Sequence, residues 1–236
     1  MKPEVAALKI QGFFTSYRLK KQQALGEAIS TNPAAQLLKA LDLRFQCMRA
    51  VAAAKLPIAK PIEDRAQVIR VIECAQELAR ERGITNLEAV ERLFLQNITL
   101  AENIQSPYYH LIWTKCHDGE RDLGKLVNNA YQQLCQLVLD HELSVACDHE
   151  KTIATPEEVL GLARDIIQYA SRTIVDELAN PDLCEYYGGA QEDLERITEQ
   201  MLSNYMMPRV LSESKEGIHS LVEGIKDVIA HQPHKF

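Results

Sequence analysis

Aromatic residues are scarce, at 6% of 236 residues with a single tryptophan. No stretch reads as a strand, and neither an internal repeat nor a low-complexity segment is present. No apolar run approaches the length needed to cross a bilayer, so no membrane span is expected. Residues 1 to 30 lack a continuous apolar stretch and a small-residue cleavage site. No signal peptide is therefore expected, and the chain is expected to be cytoplasmic as made. Positive charge is not in excess either. A net charge of −7 argues against nucleic acid as a bulk partner, because phosphate binding needs a basic field.

The six cysteines (Cys47, Cys74, Cys116, Cys135, Cys147 and Cys184) show no repeating spacing. Reduced thiols in a cytosolic compartment are the expectation. Cys116 with His117, and Cys147 with His149, fit no strong zinc pattern, so neither a metal nor another cofactor is expected.

What is abundant is Ala, Leu, Gln and Glu, a composition of helix formers, and the expected class is all-α. The first predicted helix opens at Thr31 or Asn32 with Pro33 in its first turn, carries Leu37, Leu41, Met48 and Val51 at helical spacing, and ends at Pro57. A second runs from about Asp64 to Arg82, with Val68, Val71, Ile72, Ala75 and Leu78 inward and Gly83 as its stop. "TNLE" at 85–88 reads as a capping box with Thr85 as N-cap; its helix, faced by Val90, Phe94, Ile98, Ala101 and Gln105, is expected to stop before Pro107. A fourth helix covers roughly 119–142. "TPEE" at 155–158 caps a fifth, with Leu162, Ile166, Ala170, Ile174 and Leu178 on one side. Gly188 and Gly189 precede a sixth, about 190–206. The stretch "GIHSLVEGIKDVIAH" is ambiguous, with two glycines weakening a further helix.

Three polar residues lie on apolar faces. Arg44 and Lys55 are eleven residues apart, a rotation of roughly 20° past three turns, so both point the same way from Cα atoms about 16 Å apart. Gln105 closes the buried row of its helix, where an amide without partners costs about 1–3 kcal/mol. The ordinary alternative is that both cations snorkel to the bundle edge over apolar surface. A cationic pocket inside a helix bundle suits a small dianion.

From about Leu41 to Trp113 the chain resembles the all-helical AroQ class of chorismate mutases, and especially its γ subclass. The resemblance is carried by Arg44, Lys55 and the "PIED" turn, by the helix ending at Gly83, and by "LFLQNITLAENIQ". It implies conversion of chorismate, or a related cyclic dicarboxylate, to prephenate by a pericyclic rearrangement. It implies that Arg44 grips a carboxylate, that Lys55 and Gln105 donate to the ether oxygen, and that Glu63 and Asp64 meet the ring hydroxyl. Relatives with glutamate at the Gln105 position must protonate it, whereas an amide donates at any pH, so activity flat across neutral pH is expected. Three departures stand out. Gln67 replaces an arginine that clamps a carboxylate, with Arg70 one turn on; Ala101 replaces a serine or threonine; and Ala130 aligns where the γ subclass draws an arginine from a later helix.

The segment "AALKIQGFFTSYRLKK", 6–21, resembles the calmodulin-binding IQ motif. Ala6, Ala7, Ile10, Gln11, Phe14, Tyr17, Lys20 and Lys21 fit; Thr15 and Ser16 replace the usual Arg-Gly pair, and Arg18 supplies a nearby charge. This resemblance implies a basic amphipathic helix that binds calmodulin; the alternative is a first helix docked on the bundle. The organisation is then 1–30, the IQ-like helix; 31–206, the mutase-like domain; and 207–236, a C-terminal tail that could be helical. The competing function is a non-catalytic calmodulin-binding protein on a lapsed mutase fold. Chorismate chemistry is bacterial, plant or fungal, while calmodulin is eukaryotic. A bacterial effector translocated into a eukaryotic host cell reconciles the two.

Overall fold

The computed structural model describes Gly26 and residues 34–119, 122–186 and 191–230. The IQ-like set Ile10, Gln11, Phe14, Tyr17, Arg18, Lys20 and Lys21 lies outside the described residues, as do Thr31, Asn32, Pro33, Gly188 and Gly189. Among the described residues the chain forms helices and no strand, so it is all-α. No helix among them is long and apolar enough to cross a membrane.

Two helices, α1 (Ala35–Gln46) and α2 (Met48–Lys55), replace the single one predicted. The interruption is one residue: Cys47 keeps near-helical angles of φ −69° and ψ −20°, and its thiol bonds back to the Leu43 carbonyl. Then come α3 (Arg65–Glu81), α4 (Leu87–His117), α5 (Leu123–Asp140) and α6 (Pro156–Leu178). Shorter pieces follow, α7 (Pro181–Tyr186), α8 (Gln191–Leu202) and α9 (Pro208–Glu213), before α10 (Lys215–Ala230). The "GIHSLVEGIKDVIAH" stretch is thus helical as far as Ala230.

Side-chain caps start most of the long helices. Asp64 accepts from the Gln67 N–H at 3.0 Å to open α3. Thr155 and Glu158 form the expected reciprocal capping box on α6. On α4 the cap is Asn86, accepting from Ala89 at 3.1 Å, and not Thr85. The Leu87 N–H turns back to the Thr85 carbonyl, which leaves Asn86 as the last residue before the helix, and asparagine caps at least as well as threonine.

Gly83 stops α3 as predicted. It takes φ +79°, its N–H bonds the Arg80 carbonyl, and Ile84 reaches back to Ala79, the Schellman pattern. Pro107, in contrast, does not stop α4, which continues to His117. Proline removes one backbone bond, and here Ile104 and Gln105 before it and Ile112 after it are all buried, so packing on both sides carries the helix through.

The core is one continuous apolar cluster. Helix α4 is its axis and packs on α10, α3 and α2, while α1 lies along α6. Helix α2, with Ala50, Ala52, Ala53 and Ala54 all buried, is slim enough to sit among α4, α5 and α6. A Cβ on Gly224 would come within 3.3 Å of Leu93, so glycine lets α10 press close against α4. Helix α3 differs from its prediction. Only Ala75 and Ala79 are fully buried, while Val68, Val71, Ile72 and Leu78 are half-buried. The upper part of that face borders a cavity rather than a neighbour.

Candidate functional site

Arg44 sits in the last turn of α1, 4% exposed, between the buried Leu43 and Phe45. It does not snorkel. Its Nη1 donates to the Ser171 hydroxyl of α6 at 2.8 Å, and its Nε has no partner. Among the described residues no carboxylate pairs with it, and burial pushes its pKa down to about 10. A guanidinium still charged at neutral pH is therefore held in the interior without a counterion.

Lys55 ends α2. The chain then turns through Ala59 at φ 50°, so that the Lys60 N–H bonds the Lys55 carbonyl at 3.0 Å. This turn brings a second cation close. Burial and then the Lys60 charge lower the Lys55 pKa, opposed by Asp64 and Glu102. One donor of the ammonium is used on the Ile62 carbonyl at 2.7 Å.

Gln105 is buried on α4 and poorly satisfied. Its amide nitrogen meets only the Met48 sulfur at 3.3 Å and the Ala101 carbonyl at 3.4 Å, and its oxygen has no partner. A thioether is a weak acceptor, and the helix carbonyl already serves the backbone.

These three side chains line one cavity of about 160 Å³, walled by α1, α2, α3, α4 and α6. Asp64, Gln67 and Ala101 line it too. Arg70 lies in an adjoining groove of about 480 Å³ between α3 and α6, donating to the Gln67 side chain at 2.9 Å. Cavity and groove share Gln67, Val71, Arg164 and Ile167 and so lie side by side. Glu63 lines neither, though its charge acts on Glu102. Ala130 is buried in α5 and away from both.

Three charged lining residues escape the sequence reading: Arg164, Glu102 and Lys60. Arg164 was detectable, because Leu160, Ala163, Arg164 and Ile167 follow the i, i+3, i+4, i+7 pattern of a single helix face. Arg164 belongs to α6, whereas Ala130, which aligns with an arginine of the resembled subclass, belongs to α5.

The charge balance is one-sided. Arg44, Lys55, Lys60, Arg70, Arg164 and Arg172 face Asp64 and Glu102, in a chain of net charge −7. Asp64 is already engaged as a helix cap. Glu102 has its pKa raised by burial and by Glu63, with Lys55 opposing. Among the described residues the cavity lining holds no serine, threonine, cysteine, histidine or tyrosine. Such a lining is equipped to bind an anion, orient it and stabilise charge, and offers no hydroxyl, thiol or imidazole nucleophile. No protein-family model matches the chain, and no curated protein matches it.

Proposed function

We propose that this chain is a chorismate mutase-like isomerase built on an AroQ-type bundle. The observation that carries this reading is the buried Arg44, paired with no carboxylate among the described residues, sharing one cavity with Lys55 and Gln105. A buried cation costs stability unless an anion arrives to pair with it. In the rearrangement the ether C–O bond breaks as a C–C bond forms, electrons move around a six-membered ring of atoms, and no proton is transferred. The protein's work is to hold the folded conformer and to stabilise negative charge on the ether oxygen. Arg44 grips one carboxylate, and Lys55 with the Gln105 amide donates to the ether oxygen. Arg164 of α6, with Arg70 behind Gln67, takes the second carboxylate in place of the arginine missing at Gln67. The ring hydroxyl meets the backbone around Glu63 and Asp64.

A second reading is supported by Gln67 and Ala101, which occupy lining positions where the resembled family has a clamp arginine and a hydroxyl. On that reading the fold is a non-catalytic platform, with the IQ-like segment binding calmodulin. Chorismate consumption by the full-length protein, alone and with calcium-loaded calmodulin, separates the two. Turnover that disappears in Lys55→Ala, together with thermal stabilisation by a bicyclic transition-state analogue, is expected of the isomerase. No turnover and no thermal shift, with calmodulin retained, would leave the platform.

A further inference from the structure

Cys147 and His149 alone match no zinc pattern, but the fold adds a third ligand from another element. Cys135, on the buried face of α5, meets them where the link 141–155 folds back on that helix. The two sulfurs and a ring nitrogen all lie within 4.8 Å of one another, and Cys147 Sγ is 3.1 Å from His149 Nε2. We propose that Cys135, Cys147 and His149 form a zinc site that fastens this link to α5. The inference stands independently of the isomerase reading.

The approach is organised by bonds other than those of the ligands. The Tyr131 hydroxyl accepts from the Asp148 N–H at 3.2 Å, directly between Cys147 and His149 in sequence. Gln132 donates to the Lys151 carbonyl at 2.7 Å, and the Asn128 side chain accepts from the Ala154 N–H at 2.8 Å. Asn128, Tyr131 and Gln132, at i, i+3 and i+4 on one face of α5, therefore hold the link in register over Cys135. The Asp148 carboxylate accepts from the Glu150 N–H at 3.0 Å and is spent on shaping the turn.

Ligand chemistry selects the metal. Two thiolates and an imidazole suit a thiophilic ion of tetrahedral preference, and not magnesium or calcium, which take oxygen. Two thiolates cancel the charge of Zn²⁺, so the ion can sit against a buried wall. Cys135 is fully buried, Cys147 half-buried and His149 exposed; the fourth position then falls on the solvent side and belongs to water. Links of this length without helix or strand are uncommon unless tied down. The link leads straight into α6, which carries Leu160 and Arg164 to the cavity. A metal there fixes the start of the helix that completes the anion site.

The test is titration of the reduced full-length protein with Co²⁺, followed by displacement with Zn²⁺. One equivalent of cobalt is expected to give thiolate-to-cobalt charge-transfer absorption and the intense visible bands of a tetrahedral site, both abolished by zinc. Zn²⁺ should also raise the thermal midpoint. The Cys135→Ser/Cys147→Ser double variant should lose the charge-transfer absorption, with helix content checked by circular dichroism. His149→Ala, altered at an exposed side chain, should weaken binding by about tenfold or more. Cys74→Ser/Cys116→Ser should bind as the parent does. Absence of charge-transfer absorption in the reduced parent overturns the proposal, as does absorption that survives loss of Cys135 and Cys147. A Cys135–Cys147 disulfide in purified protein whose reduced form takes no cobalt would replace the metal site with a redox pair.

Discussion

Arg44 and Ser171 share a hydrogen bond of 2.8 Å that ties the end of α1, beside the cavity, to α6, beside the adjoining groove. Ser171 donates its own proton to the Ile167 carbonyl at 2.8 Å, so its lone pair is presented to the guanidinium in a fixed direction. The serine aims Arg44 but brings no charge to balance it. The remaining guanidinium capacity is the reason for assigning the cavity to an anion.

Arg44 should therefore be replaceable at a profit in stability and at the expense of function. Exchanging a buried, unpaired charge for an apolar group of similar length is often neutral or stabilising by about 1–4 kcal/mol. Arg44→Met is expected to hold or raise the urea midpoint while abolishing stabilisation by a dianionic analogue. A variant that loses stability without losing ligand binding would mean that Arg44 is a structural residue.

Arg164 should show the opposite pattern. Its side chain is exposed and, among the described residues, makes no ion pair, so Arg164→Ala should leave the unfolding midpoint nearly unchanged. Losing a charge-assisted carboxylate contact is worth about 1.5–3 kcal/mol, or roughly ten- to a hundredfold in kcat/KM. Arg164→Lys should recover part of that loss. Steady-state kinetics on chorismate beside parent and Arg70→Ala would show which arginine replaces the clamp missing at Gln67.

The all-α class and most helix starts are written locally and were legible in the sequence. The Thr155 capping box, the glycine stop at Gly83 and the inward row of α6 depend on residues within a few positions of one another, whereas at 85–88 the cap fell on Asn86, one residue past Thr85. Arg44, Lys55 and Gln105 were legible for the same reason, as polar residues breaking apolar rows. What failed depended on distant packing. Pro107 looks like a stop until the burial of Ile104, Gln105 and Ile112 is known. The half-open face of α3 cannot be distinguished from a buried one by periodicity, since a cavity and a neighbour both demand apolar residues. The Cys135 contact joins residues twelve and fourteen positions apart that no motif connects.

Glu102 provides the pH test. Burial and Glu63 raise its pKa, with Lys55 opposing, so the folded protein holds this proton more tightly than the unfolded chain. Stability from this group is present at low pH and is lost as the pH rises through the raised folded pKa. Urea midpoints of Glu102→Gln and the parent should converge on the acid side, with the variant the more stable above that window. Affinity for a dianionic analogue should tighten as the pH falls through the same window, because ionised Glu102 repels it, and Glu102→Gln should remove that trend. With that trend removed, Glu102→Gln should be flat between about pH 6 and 8, since the Gln105 amide does not titrate. A steep change there would remove Gln105 from the role of pH-independent donor.

Glu142 is a strained residue at the start of the link that carries the proposed metal ligands. Helix α5 ends as α3 does. The Glu142 N–H bonds the Leu139 carbonyl and Leu143 reaches back to Val138, while the residue between takes φ 50°. At Gly83 the same pattern is served by glycine, whereas at Glu142 an exposed glutamate carries a Cβ into the left-handed region, which costs about 1–2 kcal/mol. Glycine relieves that strain but adds freedom to the unfolded chain. Glu142→Gly is therefore expected to stabilise the fold by a net of about 0.5–1 kcal/mol, read as a higher urea midpoint at unchanged slope. Because the α5 end, the link and α6 form one continuous path, the same variant should leave cobalt binding at Cys135, Cys147 and His149 intact. A fall in both midpoint and cobalt affinity would show that the Glu142 side chain holds the link in place, and that its conformation is required rather than merely tolerated.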